Sequence, residues 1–297
     1  MVREGERVVS TLYGSQSMVE PLRAVLVRRP DEAFAVTDPA KWHYAARPDL
    51  EMAQLEHDAL VEILRQAGAQ VIDHTESLPD HADAIFVHDP VIVTDRGAVI
   101  LRMGKLLRRG EEAAMKRCLA RLGIPIFNAL QGSATAEGGD LLWLDHDTLA
   151  VGQGFRTNAE GLHQLQSVLA DLDVTVIPVA LPYHGGPQAC LHLMSLISVV
   201  GHQLAVVYLP LLPVPFCQDL ERRGFRLIEV PEQEFPTMGP NVLALAPGQC
   251  VMLEGNPITK RRLEDAGCKV LTYVGRELSL KAEGGATCLT RPLLRHA

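Results

Sequence analysis

No C-x-x-C pair occurs in this sequence, and its six cysteines (Cys118, Cys190, Cys217, Cys250, Cys268 and Cys288) lie far apart along 297 residues. That spacing argues against a disulfide-stapled framework and a zinc ribbon, and reads as a reduced, cytoplasmic protein. Long apolar runs are also missing. The longest, LAVVYLPLLPVPF, is broken by three prolines and is too short for a membrane-spanning helix. The opening MVREGERVVSTLYGSQS has no apolar core of the kind a secretory signal needs. Lysine and arginine form no long run and the formal charge is −8, so neither a nucleic acid nor a membrane is the expected partner. A small cationic ligand suits this balance better. No G-x-G-x-x-G follows a first strand and no G-x-x-x-x-G-K-[ST] is present, which removes the common dinucleotide and phosphate loops. No H-x-x-x-H or H-E-x-x-H spacing marks a zinc centre, so no metal is expected.

What is present is apolar and repetitive. Hydrophobic residues make up 47% and charged residues 22%, enough for a large core in one globular catalytic domain over 1–297. A helical stretch ending in a turn residue, then a short β-rich run, recurs as LRQAGAQVI, LARLGIPIF, LADLDVTVI, LERRGFRLI and LEDAGCKVL. The shared turn position falls on Gly68, Gly123, Asp173, Gly224 and Gly267. Four of the five units are preceded by two strand-like runs around a turn, as in AIFVHDPVIVTDRGAVILRMG and NVLALAPGQCVMLEG, and the first is led by AVLVRRP. Short turns between strand pairs favour antiparallel neighbours, against an all-parallel doubly wound sheet. The pattern predicts an α/β fold, a five-module pseudosymmetric propeller of strand–strand–helix–strand repeats about a common axis. Loops from every module then converge on the axis, so functional residues should be scattered one or two per module.

The module junctions carry the chemistry-bearing residues. They are Asp83 and Asp89 in DAIFVHDP, Arg108 and Arg109 in LLRRGE, Glu137 and Asp140 in EGGD, Arg156 in GFRTN, His192 in CLHLM and Cys288 in GGATC. Each has a plain structural reading too. His192 could be a core histidine, EGGD a tight turn, Asn158 or Thr157 a helix N-cap, and Cys288 an inert thiol. The two glycine doublets tip the balance towards a site, because bare backbone beside an acid or a thiol permits close ligand approach.

In order along the chain, FVHDP, RRGE, EGGD, GFRTNAEG, LHLM and GGATC resemble the dimethylarginine dimethylaminohydrolases, within the guanidino-group-modifying superfamily of arginine deiminases and amidinotransferases. The family fold is a five-module α/β propeller, in agreement with the repeats. The resemblance implies Cys288 as nucleophile and His192 as general acid and base. It implies Asp89 and Glu137 as the acids gripping the guanidinium, Arg108 and Arg156 as partners of the substrate carboxylate, and Asp83 as the acid near the α-amine. No cofactor is implied.

The implied reaction is attack of the Cys288 thiolate on the guanidinium carbon, loss of an amine protonated by His192, and hydrolysis of the covalent thiouronium. An Nω-methylated arginine would give citrulline and a methylamine. Arginine deiminase-like or amidinotransferase activity on another guanidino compound, or an arginine-like ligand held without turnover, remain alternatives. The pattern departs from the family at Met194 and His88, which implies an altered pocket. The N-terminal stretch within 1–22 is placed where relatives close a loop over the substrate. A homodimer is the commonest quaternary prior.

Overall fold

The computed structural model describes residues 12–36, 38–187, 189 and 191–296. Five three-stranded sheets repeat one plan, an antiparallel pair, a hairpin in four of them, whose second strand pairs in parallel with a third strand arriving after a helix. The first sheet, in spatial order, is β15 (Arg291–Arg295), β1 (Leu22–Val27) and β2 (Gln70–Asp73). The second is β3 (Val91–Thr94), β4 (Gly97–Ile100) and β5 (Ile126–Ala129). The third is β6 (Leu141–Asp145), β7 (Thr148–Gln153) and β8 (Thr175–Ala180). Strands β9 (Ile197–Gly201), β10 (Leu204–Val207) and β11 (Arg226–Glu229) make the fourth; β12 (Val242–Ala246), β13 (Gln249–Leu253) and β14 (Lys269–Tyr273) make the fifth. This is the expected propeller-like α/β arrangement.

A short helix, α1 (Pro39–Trp42), precedes the five module helices. These are α2 (Leu50–Gln66), α3 (Glu111–Arg121), α4 (Ala159–Ala170), α5 (Val214–Arg222) and α6 (Pro257–Asp265). The residue the repeat singled out follows the last residue of each module helix by two or three positions. Gly68, Gly123, Asp173, Gly224 and Gly267 all have positive φ, between 56° and 93°. In each case the next residue's N–H reaches back into the helix, as from Ala69 to the Leu64 carbonyl (3.1 Å) and from Cys268 to the Leu263 carbonyl (3.0 Å). The left-handed residue thus satisfies helix carbonyls and turns the chain into the third strand.

Burial explains why the hairpin strands read as continuous apolar runs and the third strands do not. Every residue of β3, β4 and β9 is buried, whereas β2, β5 and β11 are mostly half-buried or exposed. The buried edge of each sheet faces the axis and the parallel strand forms the outer edge.

One closure has no local signature. The inner strand of the first sheet comes from the other end of the chain: β15 pairs antiparallel with β1, from Leu22 opposite Arg295 to Leu26 opposite Arg291. Gly14 and Arg295 extend this seam through backbone hydrogen bonds, and Arg295 also donates to the carbonyls of Glu20 and Ala244. Residues 12–22 therefore strap the sheet, and Gln16 to Glu20 line a surface cavity with Asp95 and His202. Residues 1–11 of the expected lid segment lie outside the described residues. No helix among the described residues is long and apolar enough to cross a membrane.

Candidate active site

Five junctions meet at the axis, one from each module and each just before its inner strand. Asp89 precedes β3, Glu137 precedes β6, His192 precedes β9, Asn241 precedes β12 and Cys288 precedes β15. The scatter expected from a radial repeat is therefore realised, and it explains why a cysteine stands so near the end of the chain: β15 carries it back to the centre.

Glu137 is fully buried. Its Oε1 accepts the backbone N–H groups of Gly104 (2.9 Å) and Lys105 (3.0 Å), while Oε2 lies 2.8 Å from Nε2 of His192 and 3.2 Å from a guanidinium nitrogen of Arg156. Burial alone would raise its pKa. The hydrogen bond with His192 and the charge of Arg156 outweigh burial and hold the carboxyl well below the usual range. Asp89 behaves alike: burial opposes ionisation, yet the Arg108 and His192 charges keep its pKa low. Its Oδ1 accepts from the Gly139 N–H (2.9 Å) and its Oδ2 from Arg108 (2.5 Å).

The glycine doublets serve close approach, but what approaches is the protein itself. A Cβ on Gly139 would stand 2.4 Å from Nδ1 of His192, and one on Gly284 would overlap the Phe86 ring at 2.1 Å. EGGD thus lets the imidazole seat on Glu137. Asp140 secures that seat from behind, accepting the Leu193 N–H (2.9 Å) and the Thr157 hydroxyl (2.6 Å). Burial pushes the Asp140 carboxyl up to about 6. Asn158 caps α4 by accepting from the Gly161 N–H, fulfilling its structural reading.

Cys288 is half-buried, and its Sγ lies 3.4 Å from the Asn241 amide nitrogen. The same amide's oxygen accepts the Thr287 N–H (3.1 Å), so one side chain holds both the thiol and its loop. Sequence reasoning missed Asn241. The signal was the repeat itself, whose fifth module places Asn241 in the slot that the acids and His192 fill elsewhere.

A narrow cavity of about 40 Å³ joins these groups to an outer, charged half lined by Asp83, Lys105, Arg108, Arg156 and Trp42. Arg108, expected at the substrate carboxylate, has every guanidinium nitrogen engaged: with Asp89, with Glu111 (2.7 to 3.1 Å) and with the Phe86 carbonyl (3.0 Å). Arg109 does not line the cavity; its carbonyl contacts the His81 ring. Lys105, which sequence reasoning also missed, places Nζ 2.6 Å from Asp83 and 2.9 Å from the Trp42 carbonyl, above the Trp42 ring. Tyr44 donates to the other Asp83 oxygen at 2.9 Å. The cover over this cavity is thus Trp42 to Tyr44, after β1.

Met194 and His88, the two departures, lie outside that cavity. Met194 packs in the apolar core. His88 bonds the Thr290 carbonyl through Nδ1 (2.9 Å), and its carbonyl receives Arg291; burial pushes the imidazole down to about 3, which keeps it neutral. It braces the Cys288 loop.

Asp89, Glu137 and His192 each present a donor atom within 4.8 Å of the others, a cluster that could grip a cation. The donors are already shared with Arg108, Arg156 and backbone N–H groups, so the acids are set for a cation that can hydrogen-bond within a plane.

The fold is that of the amidinotransferase-type α/β propellers. An amidinotransferase of saxitoxin biosynthesis from Microseira wollei superposes with a TM-score of 0.79 at 15% identity, covering 97% of this chain and 98% of its own. Dimethylarginine dimethylaminohydrolase from Pseudomonas aeruginosa, solved with citrulline, superposes at 0.74 and 24% identity, covering 93% and 100%. A family profile described as N,N dimethylarginine dimethylhydrolase, eukaryotic, matches residues 39–295, and the chain belongs to that family. The dimethylarginine dimethylaminohydrolase of Streptomyces coelicolor is 32% identical over 274 residues, 91% of this chain and 96% of the relative.

Proposed function

We propose that the protein hydrolyses an Nω-methylated arginine to citrulline and a methylamine through a covalent intermediate on Cys288. The coarser activity follows from family membership: the enzyme is a hydrolase acting on a C–N bond of a guanidino compound. The observation that carries the finer reading is the convergence of two ionised acids, an imidazole and a thiol at one buried point beside a charged half-pocket.

Asp89 and Glu137 clamp two edges of the planar guanidinium, which presents its carbon to Sγ of Cys288. The thiolate bonds to that carbon, the bond to the substituted nitrogen breaks, and His192 protonates the departing amine. A water deprotonated by His192 then attacks, the S–C bond breaks, and the ureido product leaves with the thiol restored. His192 holds the proton taken from the Cys288 thiol before the amine leaves, and holds the water's proton before it returns to the sulfur; Glu137 stabilises the imidazolium at both points. Asn241 positions the thiol.

At the outer end, Arg156 and Lys105 meet the α-carboxylate and Asp83 meets the α-amine. An ammonium has three N–H groups, and Lys105 uses two on Asp83 and Trp42. Arg108, each of whose guanidinium nitrogens already bonds an acceptor, acts by holding Asp89.

The test is ureido product formation from dimethylarginine, monomethylarginine, arginine and agmatine, with Cys288→Ser as control. Turnover of methylated arginines above arginine, lost in the variant, supports the reading. Activity confined to another guanidino compound would move the substrate while keeping the chemistry.

A further inference from the structure

Cys288 and His192 form a wall between two cavities. On one side is the charged pocket of about 40 Å³; on the other lies a chamber of about 470 Å³ whose apolar members include Leu191, Phe235, Pro236, Met238 and Leu280 and whose polar ones include His184, Ser195, Asn241 and Glu283. Aromatic packing backs one wall of the chamber. Phe235 stacks on Tyr208 with ring centres 4.0 Å apart, and His184 meets the Phe235 edge at 6.1 Å. His184 and Leu191 also border a further groove, of about 250 Å³, whose rim carries the exposed aromatics Phe155 and Tyr183. The chamber beside the thiol and this groove thus share His184 and Leu191 as wall residues.

Guanidinium geometry gives this chamber a role. The three nitrogens lie in one plane about a trigonal carbon. With the chain nitrogen directed towards Asp83 and Lys105 and the acids on the guanidinium edges, the remaining nitrogen lies beside His192, which lines the chamber as well as the charged pocket. That nitrogen is the one His192 protonates and the reaction releases. An ammonia leaving from arginine gains little from a largely apolar chamber many times its size.

We propose that the chamber receives the substituent on the departing nitrogen, so that the enzyme takes guanidino substrates whose Nω group is an alkyl or arylalkyl chain larger than methyl. The inference rests on the guanidino-hydrolase reading above. Burying a methylene in such an enclosure favours the substrate by roughly fourfold, so kcat/KM should rise with chain length until the chamber fills. Atoms balance as before: water supplies the ureido oxygen and the larger amine departs protonated.

The experiment measures citrulline, the common product, from Nω-methyl-, Nω-propyl-, Nω-butyl- and Nω-benzyl-L-arginine with the intact enzyme. The expected result is a kcat/KM for propyl and butyl several-fold above methyl. Met238→Trp, and separately Leu280→Trp, should lower the butyl-to-methyl ratio at least tenfold. A steady fall in rate with substituent size in the unmodified enzyme, or a ratio untouched by both substitutions, overturns the chamber while leaving methylarginine hydrolysis intact. No citrulline from any member of the series would instead overturn the methylarginine reading and this inference with it.

Discussion

The two sides of the Cys288–His192 wall differ in what fixes their shape. The charged side is held by paired ions and backbone donors, with Arg108, Lys105 and Arg156 each bonded to an acid. The other side is held by aromatic stacking and apolar contact. Ion pairs can exchange partners when a ligand arrives, because a substrate's charges replace those they displace, whereas stacked rings keep a fixed volume. The charged side is thus suited to grip and orient, and the apolar side to accommodate.

Replacing Cys288 with Ser breaks both sides at once. The loss in kcat should be about 10⁴-fold or more, since a hydroxyl in the same place lacks thiolate reactivity. The melting temperature should hardly move, and appreciable residual turnover would remove Cys288 from its role.

Glu137→Gln strikes the charged side alone. The expected loss in kcat/KM is roughly 10²- to 10³-fold, because the guanidinium and the imidazolium both lose a fixed negative partner. It also carries a pH signature. The folded Glu137 pKa is depressed from 4.5, so its carboxylate contributes stability that is present above about 4.5 and lost as pH falls below it. The stability gap between wild type and variant in denaturant titrations should therefore narrow below that pH. A gap that widens in acid would contradict the assignment.

Gly139→Ala tests the approach that seats His192. With a methyl only 2.4 Å from Nδ1, the imidazole must shift, and kcat should fall by about tenfold or more while substrate affinity changes less. Normal turnover would show that the seat is not needed. Lys105→Met should raise KM about tenfold for substrates bearing an α-carboxylate, with kcat and agmatine turnover little changed. An equal effect on agmatine would place Lys105 elsewhere. The smallest effect is expected from chelators: if the Asp89, Glu137 and His192 cluster serves an organic cation, EDTA leaves activity unchanged, and inactivation reversed by a divalent ion would reassign the cluster.

Much of this was legible from residue order. The five turn residues were readable because a left-handed helix terminus selects glycine or a short polar residue by local geometry alone, and Asp173 shows that the position matters more than the residue. EGGD, GFRTN and GGATC were legible as a set, since each brings its donors within a few residues. Asn241, Lys105 and the Tyr44–Asp83 bond were not. Their partners are distant in sequence, and nothing in GPNVL or MGKLL distinguishes a site residue from a loop residue until the modules close. Arg108 shows the converse: its neighbourhood to Glu111 was plain, but whether its charge faced a ligand or Asp89 depended on how far the junctions converge.

The sequence by itself determined the number of modules, the helix ends and which junctions carry acids, imidazole and thiol, because those depend on short-range periodicity and backbone preference. Only the tertiary structure decided that β15 completes the first sheet, that the glycines admit His192 and Phe86, and that Cys288 stands between a tight charged pocket and a wide apolar one. Those outcomes depend on contacts between residues far apart in the chain, which exist only once the ring of modules is shut.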